Sequence, residues 1–211
     1  MIHLRCSDVE AGIPKKFGAT LEELGIQVST GPVVDFRVKE HLRRAPNAKT
    51  APLIYPGHFR HGRFSWPYGN PKKPSAIARN KHTDKLLFPS GNYTVVRRLS
   101  SKEEKRRIVA SVVERKALDA STIGFENHLN VFHRNKTGLT KYLALGLMAY
   151  LSSSMLDAHF RAFNGHTQVN ATDLRALPYP DADQLRRIGR WTTTKSDLSQ
   201  DLIDRYLERI S

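Results

Sequence analysis

The stretch LTKYLALGLMAYLSSSMLDAHFRAFNG, residues 139–165, carries the clearest secondary-structure signal in the chain. Its large apolar residues mostly recur at spacings of three and four, the period of an α-helix with a broad apolar face. Asn164 and Gly165 follow the last of them and are typical of a helix end. We therefore expect one long, buried helix over residues 139–163 that supports the rest of the fold.

Short β-like segments separated by proline and glycine precede this helix. Residues 26–36 have an extended pattern, and prolines at 52, 56, 67, 71, 74 and 89 exclude long helices from the segment that follows. A helical turn is expected at residues 101–105, followed by a strand at 108–113 that pairs with residues 93–99. The apolar spacing of residues 108–113 also suits a helix. Further strands are expected in PLIYP, GRFSWP, DKLLFP, STIGFE and HLNVFH.

Shorter helical signals flank these segments. Thr20 and Glu23 form a capping box before Gly25, which predicts a short helix over residues 20–24. A short helical piece should begin at residues 170–173, and tail helices are expected near 182–189 and 197–210. The predicted class is α+β: a curved, mostly antiparallel, loop-rich sheet with a long supporting helix and C-terminal helices. We expect an N-terminal linker with a short helix (1–25), a main domain (26–180) and a helical tail (181–211).

The positive charge of the chain is confined to less than half of its length. The formal net charge is +14, and residues 26–116 hold 20 Lys or Arg against 6 Asp or Glu, while the remainder is neutral. A charge needed only for solubility would be spread over the surface, whereas a segregated charge indicates an anionic partner. A polyphosphate backbone is the commonest such partner, so the charge favours nucleic-acid binding.

Composition and motifs exclude several other classes of protein. The single cysteine, Cys6, allows no internal disulfide and no cysteine metal cluster, which suits a reducing cytoplasm. The N-terminal MIHLRCSDVEAG lacks the apolar region of a signal peptide, and the most apolar stretch, Leu143–Leu151, has about half the length of a membrane span. No glycine-rich phosphate loop is present in the sequence. We expect a cytoplasmic protein with no membrane partner and with neither a metal nor a cofactor site in this chain.

Several motifs taken together resemble one protein family. They are GIQVSTGPVVDFR, APLIYPGHF, KKPSAI, VVRRLSSKEEKRRIVASV, IGFENHLNVFH and FNGHTQVNATDLRALPYP, which span about residues 20–180. This set resembles the C-terminal target-recognition (specificity) domain of type II adenine-specific DNA methyltransferases of restriction–modification systems. The last motif is the most specific, because TaqI-like specificity domains and type I specificity subunits close in a similar way on Leu-x-x-Leu-Pro-aromatic-Pro.

The resemblance implies sequence-specific binding of double-stranded DNA by residues 26–180. It also implies a partner, the methyltransferase catalytic domain or subunit, which flips adenine and methylates its N6 with S-adenosylmethionine. The catalytic motifs of the family, its cofactor loop and Asn-Pro-Pro-Tyr, are absent from this sequence. We therefore expect that the chain is not an enzyme by itself, and that it is an excised domain, a truncated gene product or a separate subunit.

Candidate DNA-contacting residues lie on loops of the basic segment and in the last two motifs. Arg can bind guanine through two hydrogen bonds, Asn can do the same with adenine, and Lys and hydroxyl groups bind phosphates. Arg60 and Arg63 are the preferred base readers, Lys72 and Lys73 the preferred phosphate clamp, and the 164–170 motif is more plausibly architectural. The full set is Ser29, Thr30, Arg37, His58, Arg60, His61, Arg63, Lys72, Lys73, Arg79, Asn80, Lys81, Arg97, Arg98, Lys102, Arg106, Asn127, His128, His166 and Gln168.

Two alternatives of different classes stay open on the sequence. His128, Asn130 and His133 faintly resemble an HNH nuclease, which would cleave nucleic acid with a divalent metal. The same residues also suit a half-buried strand, because they alternate with apolar neighbours. The other alternative is a basic protein that binds RNA without sequence preference.

Overall fold

The computed structural model describes residue 13 and residues 17–60, 63–67, 73–100 and 103–210, with the backbone alone at Arg60 and Arg63. The strands are β1 Gln27–Thr30, β2 Leu42–Arg43, β3 Thr50–Ile54, β4 Phe59–Arg60, β5 Arg63–Phe64, β6 Ala76–Ala78, β7 Leu87–Pro89, β8 Tyr93–Arg97, β9 Ala110–Val113, β10 Thr122–Phe125 and β11 Leu129–His133. The helices are α1 Lys141–Leu151, α2 Ser154–Phe163, α3 Ala171–Arg175, α4 Ala182–Thr192 and α5 Gln200–Ile210.

The strands form two main sheets and a hairpin. The four-stranded sheet has the order β1-β11-β8-β9 and is antiparallel throughout, whereas the five-stranded sheet has the order β2-β6-β3-β10-β7. Within the five-stranded sheet β10 and β3 are parallel, and the other pairs are antiparallel. Strands β4 and β5 pair with each other. The predicted α+β class, the mostly antiparallel strands and the C-terminal helices are therefore confirmed.

The four-stranded sheet lies between the helices and the five-stranded sheet. Its residues alternate between the two faces, as expected for a pleated strand. Val96 and Phe132 belong to a core with the helices, whereas Val95 and Val131 belong to a second core with Phe88 and other residues of the five-stranded sheet. A third core covers the five-stranded sheet itself. Because both of its faces are buried, the four-stranded sheet can carry functional groups mainly on the loops at its ends.

Helix α1 packs closely against α4, where a glycine on each helix faces the backbone of the other. A Cβ at Gly146 would overlap the carbonyl of Leu185, and a Cβ at Gly189 would overlap the carbonyl of Tyr142. The two contacts are reciprocal, since each glycine is four residues from the residue that the other glycine touches. Only residues without a side chain permit this approach of the two backbones.

Some local predictions were wrong. The single helix over 139–163 is divided into α1 and α2, because the Oγ of Ser153 accepts a hydrogen bond from the backbone N–H of Leu156 at 3.3 Å and starts a new helix. The capping box at Thr20 and Glu23 forms, but it closes one hydrogen-bonded turn rather than a helix. Residues 103–105 also form turns and bends; the rest of the predicted 101–105 turn lies outside the described residues. The pairing of 108–113 with 93–99 is confirmed by β9 and β8.

Candidate nucleic-acid interface

One end of the two sheets gathers loops from distant parts of the chain. In the strand register, Thr30 lies beside Asn130, Leu129 beside Arg97, and Val96 beside Ala110. The C-terminal ends of β1 and β8 therefore lie next to the N-terminal ends of β11 and β9. The N–H of Glu126 donates to the carbonyl of Ile54, which brings the ends of β3 and β10 to the same place. We call the surface formed by residues 31–37, 55–60, 73, 97–100, 103–109, 126–128 and 164–169 the loop-rich end.

Asp35 organises one side of the loop-rich end. Its Oδ1 accepts a hydrogen bond from the Tyr55 hydroxyl at 2.9 Å, and its Oδ2 lies 3.2 Å from Lys73 Nζ. Burial, followed by the charge of Asp35 and its hydrogen bond, raises the pKa of Tyr55 far above its ordinary value, so the hydroxyl remains a donor. The Lys73 side chain is about half exposed and lies over the Tyr55 ring, with its Nζ 5.1 Å from the centroid. A held but accessible ammonium of this kind suits a phosphate.

The His128 ring contacts the buried carboxylate of Glu126. The Glu126 side chain is 2% exposed, and its Oε1 lies 2.5 Å from His128 Nδ1, while its Oε2 accepts a hydrogen bond from the His128 backbone N–H at 3.0 Å. An ionised carboxylate can only accept, so Nδ1 carries the proton and Nε2 is the free nitrogen of the ring. The His128 side chain is 48% exposed. The ring is therefore fixed in orientation and available to a ligand.

Arg98 connects two other candidate residues. It donates from one terminal nitrogen to the carbonyl of Asn127 at 3.1 Å and from the other to Oε1 of Gln168 at 3.3 Å. Its Nε is buried and has no hydrogen-bond partner among the residues that the structure describes. Gln168 is exposed, and with Oε1 occupied its amide group retains donors. Arg98 and Gln168 thus present a paired set of donors beside His128.

Two neighbouring cations of the loop-rich end have side-chain partners within the protein. A guanidinium nitrogen of Arg97 lies 3.6 Å from Glu104 Oε2, and Arg106 Nε donates to Gln200 Oε1 at 2.9 Å. Both arginine residues are half-buried rather than exposed. Their lower exposure makes them weaker candidates for DNA contact than Lys73.

Three predicted contact residues have hydrogen-bond partners inside the protein. His58 is buried, its Nδ1 accepts a hydrogen bond from the Tyr55 N–H at 2.9 Å, and burial lowers its pKa to about 4. Ser29 and Thr30 are hydrogen-bonded across the four-stranded sheet to His133 and Asn130. The sequence marked these residues as polar, but it did not show that their polar atoms have partners inside the protein.

The 164–170 motif is held by a buried arginine. Arg107 is 1% exposed, and its guanidinium donates to Ser100 Oγ, to Asn164 Oδ1 and to the carbonyl of His166. The architectural interpretation of Asn164 is therefore confirmed, whereas the side chain of His166 is exposed at the surface. The basic character of Arg107 in the sequence gave no sign that this residue is internal.

A second group of predicted residues lies away from the loop-rich end. The Arg79 N–H donates to the carbonyl of Lys49 at 2.9 Å, which places Arg79 beside the start of β3, while Tyr55 follows its end. Asn80 uses its Oδ1 to close a turn through the N–H groups of His82 and Thr83, and Lys81 is exposed in that turn. Arg79, Asn80 and Lys81 therefore lie towards the opposite end of the five-stranded sheet from Lys73.

Some candidate residues cannot be placed. His61, Lys72 and Lys102 lie outside the described residues, and the side chains of Arg60 and Arg63 are not described. The backbones of Arg60 and Arg63 pair with each other in the β4–β5 hairpin. Their proposed role in base reading stays a prediction.

The residues of the nuclease alternative do not converge. His128 and His133 lie at opposite ends of β11, about 16 Å apart at the rise of an extended strand. His133 Nε2 is hydrogen-bonded to Ser29 Oγ, and His133 Nδ1 accepts a hydrogen bond from the Lys136 N–H. Asn130 is completely buried. Across residues 17–60, 63–67, 73–100 and 103–210, no group of three His, Cys, Asp or Glu could hold a metal ion. Within that described part of the chain, none of the helices has both the length and the apolar character needed to span a bilayer.

Comparison with known proteins relates the chain to methyltransferases. No protein-family model matches it. It is 50% identical over 212 residues to the type II methyltransferase M.BsuBI of Bacillus subtilis, an alignment that covers 99% of the chain and 42% of that protein. It is 45% identical over 205 residues to the type II methyltransferase M.PstI of Providencia stuartii, an alignment that covers 93% of the chain and 40% of that protein. The chain is thus homologous to a part of type II methyltransferases and spans about two fifths of the length of these curated relatives.

Proposed function

We propose that the chain is the DNA target-recognition part of a type II adenine-N6 DNA methyltransferase of a restriction–modification system. The observation that carries the proposal is the loop-rich end, where the fixed ring of His128 lies beside the donors of Arg98 and Gln168. The segregated charge of +14 and the homology to type II methyltransferases support it independently.

The groups of the loop-rich end match the chemistry of a major groove. In the neutral ring, the free Nε2 of His128 is an acceptor and fits the exocyclic amino group of adenine or cytosine. The donors of Arg98 and Gln168 fit guanine O6 and N7. Lys73 is suited to the adjacent backbone, where phosphate contacts fix the register without reading sequence. One surface therefore offers both base-reading and positioning groups.

Catalysis is assigned to the remaining part of the methyltransferase. The sequence contains neither a cofactor loop nor Asn-Pro-Pro-Tyr, so S-adenosylmethionine would be bound by a catalytic domain or subunit that acts with this chain. The proposal includes a cytoplasmic location, where bacterial DNA and the cofactor are found together.

Binding to duplex DNA tests this function. Selection from a random duplex pool should yield a preferred sequence, and fluorescence anisotropy should then give its affinity at about 50 to 300 mM salt. With roughly five to eight phosphate contacts, log affinity should fall with log salt at a slope of about −4 to −7. A salt-independent affinity, or a pool without enrichment, would contradict the proposal. Equal competition by RNA would favour the RNA-binding alternative instead.

A further inference from the structure

Exposed cations lie on two segments at the surface of the five-stranded sheet. The first segment, residues 37–49, contains β2, and the second, residues 79–85, connects β6 with β7; together they reach from the loop-rich end to the start of β3. We call these residues the basic strip: Arg37, Lys39, Arg43, Lys49, Arg79, Lys81 and Lys85. Arg37, Arg79 and Lys81 are among the DNA contacts predicted from the sequence, whereas Lys39, Arg43, Lys49 and Lys85 are not.

Contacts between the two segments make the strip one surface. The rings of His41 and His82 stack with centroids 6.2 Å apart, and Asn80 Nδ2 lies 3.4 Å from His41 Nδ1. A cavity of about 450 Å³ beside them is lined by Arg37 and Lys85 among others. The exposed ends of the strip are therefore joined by packed residues rather than by independent loops.

The far end of the strip surrounds an open cavity of its own. Arg43, Lys49 and Arg79 line a cavity of about 450 Å³ whose described walls contain no Asp or Glu. Arg43 is fixed by hydrogen bonds to the carbonyls of Glu40 and Leu42, at 2.7 and 2.9 Å. Arg79 is held by Ser121 Oγ at 3.2 Å. Three cations around one opening create a positive potential that favours an anion.

The acids of the same segments reduce this potential only in part. Asp35 is occupied by Lys73 and Tyr55, and Glu40 lies 3.3 Å from the His41 ring. Asp84 approaches Arg79 at 3.9 Å, but both side chains are about half exposed, so water and salt screen the pair strongly. The strip therefore keeps a net positive charge.

We propose that the basic strip binds backbone phosphates of DNA that flanks the recognised sequence. This inference rests on the proposed function, because it needs the loop-rich end to hold the recognised base pairs. The five residues of β3 separate the two ends by about 15 Å at the rise of an extended strand. That distance corresponds to about five base pairs along the duplex axis. The footprint thus extends by about half a helical turn on one side of the recognised sequence.

Duplexes of two lengths test the strip. The short duplex carries the selected sequence with about 2 base pairs on each side, and the long one with about 10, so that only the long one reaches the strip. The test variant carries Arg43→Gln, Lys49→Gln and Arg79→Gln. The control variant carries Arg187→Gln, Arg205→Gln and Arg209→Gln, which removes the same charge from exposed positions of α4 and α5.

On the long duplex, the test variant should lower the magnitude of the salt slope by about 2 to 3, one unit for each lost phosphate contact. On the short duplex, the slope should change by less than about 1, and the control variant should behave like the unmodified protein on both. Lys49→Gln alone should lower the slope by about 1 on the long duplex, and it provides the result if the triple variant does not fold.

Three outcomes would overturn the inference. An equal loss on both duplexes would place the strip on the recognised sequence itself, and no loss on either would show that it does not bind DNA. Equal losses from the test and control variants would indicate a general effect of charge. If the unmodified protein binds neither duplex, the proposed function itself fails, which distinguishes that case from a failure of the strip alone.

Discussion

His128 combines an exposed ring with a fixed orientation. The buried carboxylate of Glu126 holds Nδ1, and the backbone N–H of His128 holds the other carboxylate oxygen. A side chain that is already oriented loses little rotamer freedom when it meets a base edge. His128 is therefore better suited to distinguishing bases than to a general attraction to phosphate.

Replacement of His128 by Ala should cost about 1 to 3 kcal/mol of binding free energy on the selected duplex and little on random DNA. Lys81→Ala is the control, because a loss of phosphate contact should weaken binding to both duplexes by a similar factor. Anisotropy titrations of both variants at one salt concentration measure the difference. A uniform loss for His128→Ala would mean that its ring contacts the backbone.

Two buried histidines predict how stability depends on pH. Burial lowers the pKa of His58 to about 4, and burial with the nearby Lys136 charge lowers the pKa of His133. The unfolded chain, with an ordinary His pKa of about 6.5, takes up these protons first. The free energy of unfolding should therefore fall as pH drops from about 6.5 towards 4.

Urea unfolding between about pH 7.5 and 4.5 measures this decrease. In His58→Asn the Oδ1 can still accept the hydrogen bond of the Tyr55 N–H, but the titrating ring is gone. The decrease should be smaller in this variant than in the unmodified protein. An unchanged dependence on pH would assign the effect to other groups.

Among the elements, the contact of α1 with α4 depends on two glycines. Helix α1 is apolar around most of its surface and α4 is amphipathic, and their apolar residues share the core that includes the four-stranded sheet. Glycine normally weakens a helix by about 1 kcal/mol relative to alanine. Its presence at both crossing points is therefore explained by the approach of the two backbones and not by helix formation.

Gly146→Ala should destabilise the protein by about 1 to 3 kcal/mol or more, because the overlap with Leu185 outweighs the gain in helix propensity. Gly165→Ala is the matched control: a Cβ there meets no atom within 4 Å, so we expect a change within about 0.5 kcal/mol. Chemical denaturation gives both values. Equal stabilities of the two variants would contradict the close packing of α1 on α4.

Local patterns predicted the elements better than the candidate site. The strands around Val95 and Val131 and the helices of the tail follow from periodicity, since period depends on near neighbours in the sequence. The division of the predicted helix at Ser153 was not predicted, because the helical spacing of apolar residues continues across this capping residue. The link between Arg98 and Gln168 joins residues 70 positions apart, and the burial of His58 depends on packing. Neither can be inferred from local sequence.

Over the whole molecule, helices and sheets form a scaffold whose polar ends carry the proposed functions. The net positive charge lies in less than half of the sequence, and the structure places cations of that part both at the loop-rich end and in the basic strip. None of the cavities described above is associated with a catalytic motif. The role of this chain in methylation is therefore proposed to be recognition, with the chemistry performed by another part of the methyltransferase.

Calorimetric titration with S-adenosylmethionine should give no binding heat, because the sequence lacks the cofactor loop. Titration of the same sample with the selected duplex should give heat, which controls for inactive protein. Micromolar binding of S-adenosylmethionine would reveal a cofactor site in this chain and would contradict the division of roles.

Arg107 connects the two surface loops that carry Arg98 and Gln168. Its guanidinium donates hydrogen bonds to Ser100 Oγ and to the carbonyl of His166, and it lies over the ring of Phe160 in α2. Ser100 is two residues from Arg98, and His166 is two residues from Gln168. Two surface loops are thus locked to each other when the chain folds, before any ligand arrives. The conformational entropy of these loops is lost at folding rather than at binding. Association should therefore resemble the docking of a rigid surface, with the dissociation rate, more than the association rate, distinguishing one DNA sequence from another.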